Sequence, residues 1–132
     1  MSGPATPEFT PSPELRENYL KWTESALADL RTLLSAFDPS GDDARQGLDS
    51  LHAISHNIKG MGASFGYPLM SESGASLCAY LRQVEPAHAD VEVIHAHIQS
   101  MDVVLSNRLE GDGGDQGAAL IQHLTGLVSQ AL

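Results

Sequence analysis

The stretch HNIKGMGASFG, His56 to Gly66, interrupts an otherwise regular helical pattern with glycine at positions 60, 62 and 66. A glycine inside a helix costs about 1 kcal/mol relative to alanine, because its backbone loses more freedom on folding. Three glycines so close together, directly after a histidine, indicate that larger side chains would be unfavourable at these positions. The sequence on both sides predicts what surrounds them.

Helices are predicted on both sides of this stretch. Ser12 is a suitable N-cap with Pro13 at the first helical position, so a helix is expected to begin there. A second helix is expected after the breaker DPSGDD and as far as Phe65, ended by GYP at 66–68. Apolar residues recur at helical spacing in both, namely Leu15, Tyr19, Trp22, Ala26, Leu30, Leu33, Leu34 and Phe37, then Leu48, Leu51, Ile54, Ile58, Met61 and Phe65.

Further apolar patterns predict a third helix over about 69–84 and a fourth over about 87–109, separated by a turn around Pro86. A short last helix follows the breaker EGDGGDQG. Short connections favour an all-α, antiparallel up-and-down four-helix bundle with an additional short C-terminal helix. Residues 12–132 then form a single domain, and the Pro-rich residues 1–11 form a disordered lead-in.

Composition excludes several classes of partner. The chain of 132 residues is 42% hydrophobic, which supports a folded core, and its net charge of −10 disfavours nucleic acids and anionic membranes. It has one cysteine, Cys78, expected in the core, and no apolar run of about 18 residues that could span a membrane. No secretory signal is recognisable, so we expect a cytoplasmic protein. We also expect it to be a monomer.

On a helical wheel His56 lies opposite the apolar stripe of the second helix and therefore faces solvent. The residues that share its face are Asp49, His52, Ala53, Lys59, Gly60 and Ala63. An exposed imidazole is largely neutral near pH 7 and can act as a nucleophile, while Lys59 at i+3 can reach anionic oxygens. No glycine-rich phosphate loop accompanies them, so the site can hold a phosphoryl group but not take one from ATP.

His56, Lys59, Gly60 and Gly66 resemble the motif of histidine-containing phosphotransfer (HPt) domains, and LDSLHAIS supplies the expected residues upstream. The resemblance implies a helical bundle in which His56 exchanges a phosphoryl group with aspartates of response-regulator receiver domains or of a hybrid histidine kinase. Lys59 and Gly60 would complete the site, and Asp49, His52, Ala53 and Ala63 would bind the partner. The aspartate and Mg²⁺ would belong to the receiver, so the chain would be a phosphoryl carrier without a cofactor and not an enzyme.

Other interpretations concern the same residues. Asp49, His52 and His56 could ligate Zn²⁺, but Ala53 stands where a zincin glutamate would be, so no metal site is predicted. A helical adaptor could dock receivers without transferring phosphate, and the chain could also be the severed module of a larger sensor kinase. His95 and His97 fall on different helix faces and are expected to be solvent or packing residues.

Each glycine of the opening stretch has a different predicted role. Gly60 shares the face of His56 and leaves space for a phosphoryl group, Gly62 permits close helix packing, and Gly66 caps the helix. The third helix opens with a small and polar run, SESGAS at 71–76, where apolar spacing is more usual.

Overall fold

The computed structural model describes residues 11–132, which form five α-helices, two 3₁₀ turns and no strand. The helices are α1 (Pro13–Ala36), α2 (Ala44–Met61), α3 (Pro68–Gln83), α4 (Val91–Ser106) and α5 (Gly114–Ala131). The 3₁₀ turns are Ala63–Phe65 and Pro86–His88. The predicted all-α class is confirmed, whereas the predicted lead-in lies almost wholly outside the described residues.

The ends of the helices follow from local chemistry. The Oγ atom of Ser12 accepts a hydrogen bond of 3.2 Å from the Leu15 amide, and Pro13 occupies the first turn, as predicted. Before α4, the Asp90 carboxylate accepts a hydrogen bond of 2.9 Å from the Glu92 amide. Side-chain caps therefore begin two helices of the bundle.

Three helices differ in extent from the prediction. The helix expected to reach Phe65 ends at Met61, and Phe65 lies in a 3₁₀ turn. The fourth helix covers Val91–Ser106 rather than about 87–109, and Pro86 starts a separate 3₁₀ turn before it. The last helix, α5, is longer than predicted, with 18 residues, the same number as α2.

Helices α1 to α4 form a ring in which each contacts its two neighbours, and α5 packs against α3 and α4. The antiparallel direction of α1 and α4 is visible at one end of the bundle, where Arg16 lies 3.6 Å from Glu110 and Glu17 lies 3.4 Å from Arg108. The ring encloses a continuous core whose fully buried side chains include Leu27, Leu30, Leu48, Leu51, Ile58, Leu77, Tyr80, Ile94 and Ile98. The bundle therefore places the outer face of α2 in solvent.

Two residues of the predicted apolar stripe of α1 lie on the surface. Leu15 is 45% exposed and Trp22 is 37% exposed. Leu20 and Leu27, seven residues apart, face the core instead, together with Thr23. Thr23 can be buried because its hydroxyl donates a hydrogen bond of 2.7 Å to the carbonyl of Tyr19, which satisfies the polar group.

The two neighbouring histidines of α4 have opposite surroundings. His95 is exposed, whereas His97 is fully buried. The Nδ1 atom of His97 lies 2.7 Å from the Val93 carbonyl, which can only accept, so this nitrogen carries the proton. Nε2 then accepts from the Ser76 hydroxyl at 2.9 Å. Burial lowers the pKa of His97, opposed by the bond to Val93 and assisted by His123, so the ring is held neutral inside the bundle.

Candidate functional site

His56 lies on the outer face of α2, with its side chain exposed to solvent. On the opposite side of the same helix Leu51 and Ile58 are fully buried, and Ile54 and Met61 pack against the core while remaining partly accessible. The predicted orientation of the imidazole is therefore confirmed. An imidazole is thus presented to solvent by a helix whose other side is buried in the core.

The residues expected to share this face lie around His56 in the structure. Those exposed on α2 itself are Asp49, Ala53, Lys59 and Gly60. Ala63 is exposed as well, but it lies in the 3₁₀ turn beyond the end of α2. His52 differs from the rest because it is partly buried. These residues are therefore accessible to a partner on α2 and in the turn that follows it.

The rings of His52 and His56 stack on each other one helical turn apart. Their centroids are 6.1 Å apart and their planes differ by 20°. The pKa of His52 is lowered, first by partial burial and then by the positive charge of Arg82, with smaller effects from neighbouring groups of α2. His52 is therefore neutral near pH 7, and it lies directly beside the candidate nucleophile.

Gly74 of α3 packs closely on the backbone of Lys59, a contact that the sequence pattern did not predict. A Cβ atom built on Gly74 would lie 2.9 Å from the Lys59 backbone nitrogen and 3.0 Å from its Cα atom, so only glycine fits this contact. Ser73 beside it is fully buried, and the Oγ atom of Ser71 accepts a hydrogen bond of 2.9 Å from the Ala63 amide. Within the run SESGAS, Gly74 allows close packing of α3 on α2, and the small residues of the run were the available signal.

The three glycines of the opening stretch have three different environments. A Cβ atom on Gly60 would meet no heavy atom within 4 Å, so open space lies beside His56. A Cβ atom on Gly62 would lie 2.7 Å from the Tyr67 carbonyl oxygen, which confirms the predicted role in close packing. Gly66 has φ of 90°, a left-handed conformation that ends the 3₁₀ turn.

Two cations line the seam between α2 and α3. Among the described residues, Arg16, Arg31 and Arg108 form ion pairs with carboxylates, whereas Lys59 and Arg82 form none. Burial raises the pKa of the Cys78 thiol, and the positive charges of Lys59 and Arg82 lower it by a smaller amount. The thiol therefore stays neutral. Cys78 is 5% exposed, which confirms its predicted place in the core. The seam carries unpaired positive charge on a chain of net charge −10.

Neither a metal cluster nor a membrane-spanning helix is present in the part of the chain that the structure describes. Within residues 11–132 no group of three or more His, Cys, Asp or Glu side chains is placed to hold a metal ion. No helix in that range is long and apolar enough to cross a membrane.

Comparison with known families gives a match over most of the chain. The family model described as Hpt domain matches residues 14–128. The chain belongs to the Hpt domain family. Searches of curated proteins and of solved structures found no match. Hpt domains are helical bundles that act as phosphoryl carriers in phosphorelays, where they interact with response regulators and kinases. The resemblance noted from the motif is thus confirmed at the level of the family.

Proposed function

We propose that His56 is the residue that accepts and donates the phosphoryl group in this Hpt domain. Its partners are aspartates of receiver domains, in response regulators or in a hybrid histidine kinase. The observation that supports this most directly is the exposed imidazole on the outer face of α2, with Lys59 one turn away and open space at Gly60. The protein is then a carrier that works in the cytoplasm as a monomer and needs no cofactor or ATP.

The reaction requires positioning and charge neutralisation rather than an elaborate set of catalytic groups. The lone pair of one His56 ring nitrogen attacks the phosphorus of an aspartyl phosphate, and an N–P bond forms as the O–P bond breaks. The electron pair of the broken bond stays on the carboxylate of the aspartate. The receiver contributes that aspartate and its Mg²⁺. Transfer in the other direction reverses these steps.

Lys59 and Gly60 have complementary roles in this proposal. The ammonium group of Lys59 can approach the phosphoryl oxygens and offset their negative charge. Gly60 leaves the approach to His56 open, because no side chain projects there. Gly74 allows α3 to pack directly on the Lys59 backbone, which supports the turn of α2 that carries the lysine.

The partner covers the surface around His56. We assign contacts with the receiver to Asp49, His52, Ala53 and Ala63, which lie along the same face. Two of these are alanines. Like Gly60, they carry no long side chain that projects from the surface, so a folded domain can bring its aspartate close to the imidazole. The unpaired charges of Lys59 and Arg82 favour a partner with an acidic surface.

The test is phosphoryl transfer from a phosphorylated receiver, followed as acid-labile label on the chain. The His56→Gln variant should take up no label while its circular dichroism spectrum stays that of the wild type. His95→Gln, which changes an exposed histidine of α4, should be labelled normally. Undiminished labelling of His56→Gln would contradict the proposal. Binding of the receiver without any labelling of the wild type would favour an adaptor instead.

A further inference from the structure

A second histidine adjoins the proposed phosphoryl site, and no role in the transfer has been assigned to it beyond partner contact. The ring of His52 stacks on that of His56 with 6.1 Å between the centroids, and His52 is partly buried. We propose that His52 takes up a proton when His56 is phosphorylated, so that transfer onto His56 becomes more favourable as the pH falls. This inference rests on the proposed function of His56.

The charged groups around His52 come from two helices. From α2 these are Asp49, His56 and Lys59, and from α3 the group is Arg82. Partial burial and the charge of Arg82 act most strongly, and both disfavour the protonated ring. Asp49 alone acts in the other direction. In the unphosphorylated protein His52 is thus kept neutral by its surroundings.

Phosphorylation of His56 reverses this balance. A phosphoryl group brings about two negative charges near neutral pH, and it would be attached to the ring that stacks on His52. Nearby negative charge favours the protonated imidazole, whose two N–H groups are both donors. One proton then moves from solvent to His52, where it pairs with the phosphoryl oxygens. The N–P and O–P bond changes at His56 are the same with or without this proton.

Proton uptake linked to phosphorylation makes the transfer equilibrium depend on pH. Because the coupling is reciprocal, protonation of His52 favours the phosphorylated form by the same factor that phosphorylation favours protonation. Between the two pKa values of His52, the ratio of phosphorylated chain to phosphorylated receiver should rise by up to about tenfold per pH unit of acidification. Above that window the phosphoryl group is released more readily to a receiver. His52 is thus a positioning and tuning residue rather than the nucleophile.

The first experiment tests the electrostatic coupling without any phosphorylation. We compare the NMR titration of His52 in His56→Gln, where the neighbour is neutral, with that in His56→Glu, where it carries one negative charge. The pKa of His52 should be higher in the Glu variant, and the titration of the distant His95 should be the same in both. Equal titration of His52 in the two variants would overturn the inference, whatever the result for phosphoryl transfer.

The second experiment measures the transfer equilibrium itself between pH 5.5 and pH 8. The wild type is compared with His52→Asn and with the matched control His95→Asn, each mixed with the same phosphorylated receiver. The ratio of phosphorylated chain to phosphorylated receiver at equilibrium does not depend on how fast the two proteins dock. The phosphoryl group itself ionises in the wild type and in both variants, so its contribution to the pH dependence is shared by all three proteins. The pH dependence should be shallower for His52→Asn only. An unchanged slope would overturn the role of His52, whereas absence of label on the wild type would overturn the proposed function of His56.

Discussion

Alanine substitutions at Gly60 and Gly62, two residues apart, should have opposite effects on stability. A Cβ atom at Gly60 meets nothing within 4 Å, so alanine there should raise the free energy of unfolding, by at most about 1 kcal/mol, through its better helix propensity. A Cβ atom at Gly62 would lie 2.7 Å from the Tyr67 carbonyl oxygen and 2.8 Å from the Ser71 amide nitrogen. These are backbone atoms that cannot rotate away, so Gly62→Ala should cost about 1–3 kcal/mol.

The assay is urea denaturation followed by circular dichroism, with the midpoint and slope fitted for wild type and both variants. The two alanine variants should differ in free energy of unfolding by about 1–4 kcal/mol, the sum of the gain at one position and the loss at the other. Phosphoryl transfer should show a different pattern. Gly60→Ala should slow transfer although the protein is more stable, and the larger Gly60→Glu should block it while the fold persists.

Two results would refute this reasoning. If Gly60→Ala lowered the free energy of unfolding, the glycine would be required by the fold and not by the approach to His56. If Gly60→Glu transferred phosphate at the wild-type rate, open space beside the imidazole would have no part in the reaction.

Three further predictions concern the cation, the helix contact and the buried histidine. Lys59→Gln should slow transfer or shorten the lifetime of phosphohistidine by up to about tenfold. Lys59→Arg, which keeps the charge, should retain most of the transfer rate and of the lifetime. Wild-type kinetics for Lys59→Gln would show that the charge is incidental. Gly74→Ala should lower the free energy of unfolding by about 1–3 kcal/mol, because the new Cβ atom would clash with the Lys59 backbone. The measurement is urea denaturation. Wild-type stability of this variant would show that the two helices do not need a glycine at this contact. The lowered pKa of His97 means that the folded state prefers the neutral ring, so its contribution to stability is present above the ordinary histidine value of about 6.5 and is lost as the pH falls below it. The midpoint of thermal unfolding should therefore drop less between pH 7.5 and pH 5.5 in His97→Gln than in the wild type or in the exposed control His95→Gln, and equal drops in all three would argue against this.

Helical periodicity predicted the class of fold and the orientation of His56, because both depend on which side of a helix is apolar. It was less informative about α1, where Trp22 and Leu20 are both apolar and only the packing of neighbouring helices decides which of them is buried. The start of the fourth helix near Pro86 was also misplaced, since proline can begin a 3₁₀ turn as well as end a helix.

The parts of the site that come from α3 could not be predicted from α2 alone. Gly74 and Arg82 are positioned by the close approach of two helices, and the distance between helices leaves no trace in the periodicity of either one. The small residues of SESGAS were a visible signal, but their meaning depended on knowing which backbone they face. The stacking of His52 on His56 follows from their spacing of four residues, whereas the charge of Arg82 on His52 does not.

The most direct measurement is the location of the phosphoryl group on the chain. The protein is incubated with a phosphorylated receiver, digested under conditions that preserve phosphohistidine, and its peptides are sequenced by mass spectrometry. The account predicts phosphate on His56 and on no other histidine, including its stacked neighbour His52. Phosphate on a different residue, or none on the chain although the receiver is phosphorylated and binds, would contradict it.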